Sequence, residues 1–169
     1  MMKWIGALLV LAACGTTGFR GAAEYLRQLQ DFRSLISVLD MMECELSYNL
    51  TPLPELCRKS ASFGSKRVRS VFRTLAQTLE RQPYYDVMGG MSWVLQQNKD
   101  SSKRLSRMLE NLGNCLGRFD LSGQLAGLAS VREQCIQELS ILEKNREQRT
   151  RSFQTLGLCA GAALVILFI

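Results

Sequence analysis

Six cysteines are the residues of this chain best suited to metal or redox chemistry, but their spacing favours neither. They stand singly, at Cys14, Cys44, Cys57, Cys115, Cys135 and Cys159. No two form a Cys-x-x-Cys pair, and a tetrahedral zinc site would need well-spaced thiolates. We interpret all of them as reduced, small apolar side chains, which suits the cytosol. The sequence therefore predicts no metal site and no cofactor.

Acid–base chemistry is also poorly supplied, because the chain has no histidine and histidine is the commonest general base. Glu43 and Glu45 lie close together on a predicted helix, but such neighbouring carboxylates do not make an acid–base pair. We predict that they lie on a partly solvated face or pair with an Arg or Lys. A phosphate-binding glycine loop and a nucleophile elbow are missing as well. The sequence predicts no catalytic residue and no enzyme.

A cluster of cations at the start of one predicted helix is the candidate partner-binding patch. Its members are Lys66, Arg67, Arg69 and Arg73. The alternative is an ordinary solvated face, and cations at a helix N-terminus are locally unfavourable. The chain has a net charge of +6, but its basic residues are spread among acidic ones, so we expect no nucleic acid partner.

An apolar segment lies at each end of the chain, and we predict that both are transmembrane helices. The first covers residues 1–20 and the second 153–169. As a helix the second would be about 25 Å long, the short limit for crossing a hydrocarbon core of about 30 Å. The alternatives are a buried core helix and an interfacial helix, although an interfacial helix needs a polar face. A cationic collar precedes this segment and suits anionic lipid: Lys144, Arg146, Arg149 and Arg151.

The first apolar segment has three interpretations: a retained transmembrane helix, a cleaved signal peptide and a lipoprotein signal. Leu11-Ala12-Ala13-Cys14 matches the consensus of a lipoprotein cleavage box. Against export, only Lys3 precedes the segment, whereas Arg20 and further arginines follow it. The positive-inside rule then places the middle of the chain, residues 21–152, in the cytoplasm.

Small residues offer a way for the two predicted membrane helices to pack. Gly157 and Gly161 are spaced as a small-xxx-small face, through which membrane helices approach closely. The alternative is that small residues are merely common in such helices.

The middle of the chain has apolar residues at helical spacing throughout and no alternating strand pattern. A long helix is predicted from Gly21 to Asn49, with Leu50 still on its apolar seam. The turn Thr51-Pro52-Leu53-Pro54-Glu55 should reverse the chain, with Thr51 as N-cap and Pro52 at the first helical position. Glu55 lies near the positive, N-terminal end of the following helix and should stabilise that helix. The helix should end at Gly64.

Four more helices are predicted after that stop. They run from Ser65 to about Arg81, from Tyr85 to Gln96 with Met88 in the core, from Asp100 or Ser101 to Phe119, and from Leu121 to about Arg151. The fold class is therefore all-α, an antiparallel bundle of about six helices between two membrane helices.

In order along the chain, these features resemble the stage III sporulation protein AB family of endospore-forming bacteria. The motifs that carry the resemblance begin with the apolar first segment. They continue with Met42-Glu43-Cys44-Glu45-Leu46-Ser47-Tyr48 and the Thr51–Glu55 turn. Next come Leu112-Gly113-Asn114-Cys115-Leu116-Gly117 with Asp120 and Gln124 behind it, and Leu156-Gly157 before the terminal apolar run. The turn is the most specific of them.

The resemblance implies a function that the periodicity does not. The family's central domain is similar to the cytoplasmic domain of inner-membrane platform proteins of type II secretion and type IV pilus systems. The resemblance also implies a place in the channel complex between mother cell and forespore, in the mother-cell membrane around the forespore. The implied partners are a secretion-type ATPase, stage III sporulation protein AA, and other channel components. The alternative is an exported lipoprotein or envelope-anchored helical bundle with a structural role.

Overall fold

The fold is all-α, as the sequence predicts. The computed structural model describes residues 2–81, 86–98, 101–117, 119–146 and 155, with side chains from Arg20 onward. These residues form six α-helices and no strand. The helices are α1 (Met2–Cys44), α2 (Leu53–Phe63), α3 (Lys66–Glu80), α4 (Val87–Gln97), α5 (Lys103–Cys115) and α6 (Leu121–Lys144).

The chain divides into two compact units, one made of 1–29 with 141–169 and the other of 30–140. In the first unit, the hydroxyl of Tyr25 donates a hydrogen bond of 2.6 Å to the carbonyl oxygen of Leu142. This buried bond satisfies the Tyr25 hydroxyl while its ring packs among apolar atoms. The predicted domain boundaries at residues 20 and 152 stay a prediction.

The core of the second unit is built from the apolar stripes of its helices. The α1 stripe contributes Phe32, Leu35, Val38, Leu39 and Met42, all of them buried. Within this unit α2 packs on α3, α3 on α4 and α4 on α5. Side chains spaced by three and four along a helix share one face, so burying that face ties each helix to its neighbour.

The first half of α3 shows how local sequence sets a helix boundary. Gly64 ends α2, and Ser65 caps α3 by accepting a hydrogen bond from the Val68 amide at 3.5 Å. Such a cap satisfies an amide that has no partner inside the helix. The predicted boundary at Ser65 is confirmed.

Helix α4 begins at Val87, two residues after the predicted start at Tyr85, which lies outside the described residues. Asp86 caps it by accepting from the Gly89 amide at 3.0 Å. A Cβ atom on Gly90 would lie 3.2 Å from Leu75 Cδ1, so glycine there lets α4 lie close to α3. The prediction that Met88 is a core residue is wrong, since its side chain is 49% exposed.

Polar contacts join α5 to α6 within the second unit. Arg104 pairs with Glu138 at 3.0 Å, and the Asn111 amide donates to Gln134 at 3.0 Å. The cap of α5 is Ser102, which accepts from the Leu105 amide at 3.2 Å, rather than the predicted Asp100 or Ser101. The chain turns out of α5 at the Leu112–Gly117 motif, where Gly113 would place a Cβ only 2.9 Å from Met91 Cβ. Part of that motif thus serves the contact between α4 and α5.

Residues 2–20 of the first predicted membrane segment form the beginning of α1. The second, 153–169, lies outside the described residues apart from the helical Thr155, and so do Gly157 and Gly161. Among the described residues, no helix has both the length and the apolar character needed to cross a membrane.

Candidate functional site

The Thr51–Glu55 turn reverses the chain between α1 and α2, as the sequence predicts. Helix α1 first passes into a π-helical turn, Glu45–Asn49. Leu50 follows with φ of 49° and ψ of 38°, a left-handed conformation that costs an L-residue about 1–2 kcal/mol. Its side chain is 66% exposed, so the expectation that Leu50 continues the apolar seam is wrong. Because the backbone changes direction at Leu50, its side chain does not lie on the apolar face whose last buried residue is Leu46.

The predictions that Thr51 caps α2 and that Pro52 is its first helical residue are also wrong. The N-cap is Pro52, whose carbonyl accepts from the Leu56 amide at 2.8 Å, and the helix begins at Leu53. Thr51 instead donates its hydroxyl proton to Glu45 Oε2 at 2.6 Å. Pro54 lies buried in the first turn, where its missing amide proton costs nothing.

Glu45 holds the turn together through two partners. Besides Thr51, its Oε2 atom accepts from Lys59 Nζ of α2 at 2.8 Å. These hydrogen bonds, the one from Lys59 first, lower the pKa of Glu45 below its ordinary value of 4.5. In return, the hydrogen bond to Glu45 raises the pKa of Lys59 above 10.5. Glu45 thus pairs with a lysine, one of the two environments predicted from its position.

We expect the substitution Glu45→Gln to destabilise the chain at neutral pH and to have no effect in acid. A carboxylate whose folded pKa is lowered stabilises the fold above its unfolded pKa, and this contribution is lost as the pH falls through the folded value. The difference in thermal midpoint between the two proteins should therefore close below pH 4.5, as Glu45 becomes protonated. Thermal melts by circular dichroism across this range measure it.

The control for this prediction is Glu110→Gln, which changes an exposed glutamate without a partner among the described residues. It should leave the midpoint unchanged at both ends of the range. A midpoint difference for Glu45→Gln that persists in acid would show that the destabilisation does not come from the lost charge of Glu45.

The four residues of the predicted patch do not form one exposed surface. Arg67 is 15% exposed, and its Nη1 atom lies 3.2 Å from Oδ2 of Asp31 on α1. Ser65 donates to the other oxygen of Asp31 at 2.6 Å. Arg67 therefore links α1 to α3. Its side chain is structural because Asp31, which sits 36 positions earlier, draws it inward.

Arg69 has a second structural task, at the end of α2. Its Nε atom donates to the carbonyl of Ala61 at 3.2 Å, and its Nη2 atom to that of Gly64 at 3.4 Å. The last carbonyls of a helix have no intrahelical partner and carry partial negative charge, so a guanidinium there is favourable. Arg69 keeps part of its surface exposed.

Lys66 and Arg73 are exposed, and among the described residues neither makes a hydrogen bond or an ion pair. Arg73 lines a surface groove of about 610 Å³ between α2 and α3, which we call the α2–α3 groove. Lys66 is not part of its lining. The structure thus brings together Arg69 and Arg73 of the predicted patch and leaves Lys66 and Arg67 outside the groove.

The remaining lining of the α2–α3 groove was not singled out by sequence. Arg58 of α2 and Glu80 of α3 face each other across it, with Nη2 and Oε1 at 3.2 Å. Gln77 completes the polar lining, and the small residues Ala61, Ser62 and Ala76 line the rest. From sequence, Arg58 can be assigned only to the polar face of α2. No local pattern pairs it with a residue on another helix.

In the described part of the chain we find no cluster of side chains arranged to bind a metal ion, and the buried thiols are not reactive. Within that part, no three cysteine, aspartate or glutamate side chains are grouped as a metal ion would need. Burial raises the pKa of the Cys57 and Cys135 thiols to about 12, so both stay protonated and unreactive. Cys44, by contrast, is exposed.

Comparison with known proteins finds one family along nearly the whole chain. The family profile described as stage III sporulation protein AB (spore_III_AB) matches residues 3–169. The chain is also 23% identical, over 172 residues, to stage III sporulation protein AB of Bacillus subtilis (strain 168), with 99% of each chain covered. No solved structure gives a significant match. The similarity thus spans the turn, the α2–α3 groove and both apolar ends.

Proposed function

This chain belongs to the stage III sporulation protein AB family, and from that membership we propose that it is a non-catalytic membrane platform in endospore formation. It would belong to the channel complex between mother cell and forespore and would recruit or couple a secretion-type ATPase, stage III sporulation protein AA. The observation that carries the proposal is the family match across residues 3–169. The match supports a sporulation role, and the sequence motifs had already pointed to the same family.

Membrane attachment is part of the proposal and is supported by sequence. Residues 1–20 and 153–169 are the proposed membrane helices, packed through Gly157 and Gly161. Arg20 after the first segment and the collar before the second favour a central domain in the cytoplasm. The proposed location is the mother-cell membrane around the forespore, with anionic lipid beside the collar.

The described polar contacts suit a scaffold. Asp31 with Arg67, Glu45 with Lys59, and Arg104 with Glu138 each join two helices. Contacts of this kind fix the positions of neighbouring helices and so keep the surface that a partner would bind in one shape. The exposed arginines of the α2–α3 groove are the part of that surface best suited to bind one.

A second candidate function rests on the Leu11–Cys14 box. If that box were processed, the chain would be an exported lipoprotein with its helical domain outside the cytoplasm. The two functions differ in topology, which a single experiment can decide.

We expect Cys44 to react with an impermeant maleimide only after cells have been permeabilised. The full chain would keep Cys14, which the alternative function needs for processing, and would carry Cys159→Ala and Cys115→Ala, since Cys115 is only half-buried. Cys44 is exposed, whereas Cys57 and Cys135 are buried with a raised pKa, so labelling should report on Cys44 first. Mass-tag gels of wall-stripped, non-sporulating cells that express the chain, intact and permeabilised, give the readout, because the outer face of their whole membrane is open to the reagent.

The matched control is the same chain with Cys44→Ser, which should lose most of the label under both conditions. Labelling of Cys44 in intact cells would place the domain outside and replace the platform with the lipoprotein.

A further inference from the structure

The α2–α3 groove has the charge and the shape to hold an acidic segment of another protein. Its lining contains three arginines and one glutamate: Arg58, Arg69, Arg73 and Glu80. We propose that a stretch of partner chain bearing Asp or Glu side chains binds here, with Arg73 as its principal anchor. This deepens the proposed function and rests on it in one respect, since it takes the cytoplasmic ATPase to be the partner.

Arg73 is the anchor because its charge is uncommitted. It is exposed, lines the groove and makes no hydrogen bond or ion pair with any described residue. A guanidinium can bind a carboxylate through two parallel hydrogen bonds, which gives direction as well as attraction. Arg69 lies one helical turn earlier and adds positive charge, although two of its donors already bind the carbonyls of Ala61 and Gly64.

Arg58 can become a second anchor at small cost. Its partner Glu80 lies 3.2 Å away, but the two side chains are 65% and 45% exposed. Ion pairs this open to water contribute little to stability. A carboxylate of the partner can therefore replace Glu80 at Arg58.

The rest of the lining favours a protein segment over a larger or more highly charged anion. Ala61, Ser62 and Ala76 have small side chains, which let a backbone come close to α2 and α3. The volume of about 610 Å³ has room for a few side chains. Glu80 would repel a phosphate backbone, whereas a peptide can place neutral residues beside it.

The test is photo-crosslinking from Gln77, an exposed residue of the groove lining. The full chain, with p-benzoylphenylalanine at this position, is expressed in sporulating cells that lack the natural copy. After irradiation, mass spectrometry identifies the segment joined to position 77 and its charge. We expect an acidic segment, and we expect Arg73→Glu to lower its yield about tenfold or more through lost hydrogen bonds and new repulsion.

The matched control is Arg107→Glu, the same change of charge at an exposed arginine of α5 that is not part of the groove. Its yield should equal that of the unsubstituted chain. Arg73→Gln, which removes the charge without reversing it, should fall between the two. Thermal melts must show that all these variants are folded.

Three outcomes would overturn the groove assignment. They are a captured segment that is neutral or basic, an adduct with lipid, and an equal loss of yield in Arg73→Glu and Arg107→Glu. An equal loss in the two variants would mean that the captured segment is attracted by the overall positive charge of the protein and not by the groove.

The ATPase content of the membrane fraction, measured in the same cells, separates this inference from the proposed function. If position 77 captures an acidic segment of some other protein and the ATPase reaches membranes without this chain, the motor coupling fails and the groove stands. If the ATPase depends on this chain for membrane binding but Arg73→Glu leaves crosslinking intact, the groove fails alone.

Discussion

Replacing Asp31 with alanine is expected to lower the free energy of unfolding by about 3 kcal/mol, a large part of the margin that a domain this size has. The substitution removes the carboxylate that lies 3.2 Å from the guanidinium of Arg67, which is only 15% exposed. It also removes the acceptor of the Ser65 hydroxyl, the residue that caps α3. A hydrogen bond to a charged group contributes about 1.5–3 kcal/mol, and Asp31 accepts one from each of these two side chains. The thermal midpoint of the full chain in detergent micelles should fall by about 6–12 °C.

A matched control comes from the same helix. Asp40→Ala breaks the contact of Asp40 with Arg132, in which the side chains are 49% and 40% exposed. Since water solvates both groups, the midpoint should hardly move. The double variant Asp31→Leu with Arg67→Met should recover most of the loss, because apolar side chains of similar volume replace a buried pair well. Equal midpoints for Asp31→Ala and Asp40→Ala would show that the Asp31 contact does not hold α1 to α3.

The same pair shows where prediction from sequence stops. The spacing of Lys66, Arg67, Arg69 and Arg73 indicated a basic surface at the start of α3, and Lys66 and Arg73 are indeed exposed. Which of the four turns inward depends on Asp31, and no local pattern encodes a contact between residues 36 positions apart. The groove partners Arg58 and Glu80 escaped notice for the same reason.

Helix faces, in contrast, were predictable because they depend on local periodicity. The apolar residues of α3 that follow one another at spacings of three and four are all fully buried: Val68, Phe72, Leu75 and Leu79. One wrong core assignment, Met88, lies in the first turn of α4; the other lies where a helix ends, at Leu50, which is 66% exposed. At such points the backbone leaves helical geometry, so a spacing of three or four no longer keeps a side chain on the same face.

The buried face of α3 yields the other large effect, since Phe72→Ala should lower the free energy of unfolding by about 3–5 kcal/mol. The Phe72 ring has no exposed surface, so its loss removes apolar burial and leaves a cavity that neighbouring helices fill only in part. Phe63→Ala makes the same change at a ring that is 57% exposed, and the free energy of unfolding should change by less than about 0.5 kcal/mol.

Urea unfolding of the full chain, followed by circular dichroism, measures both phenylalanine variants. Phe72→Leu should fall between the unsubstituted chain and Phe72→Ala, because it keeps part of the buried volume. If both alanine variants unfolded at the same urea concentration, α3 would not be packed through Phe72. The α2–α3 groove depends on that packing, because a rigid α3 holds Arg69 and Arg73 along one side of α2. A large fall in the free energy of unfolding for Phe72→Ala would therefore also support a groove that is a fixed surface in solution.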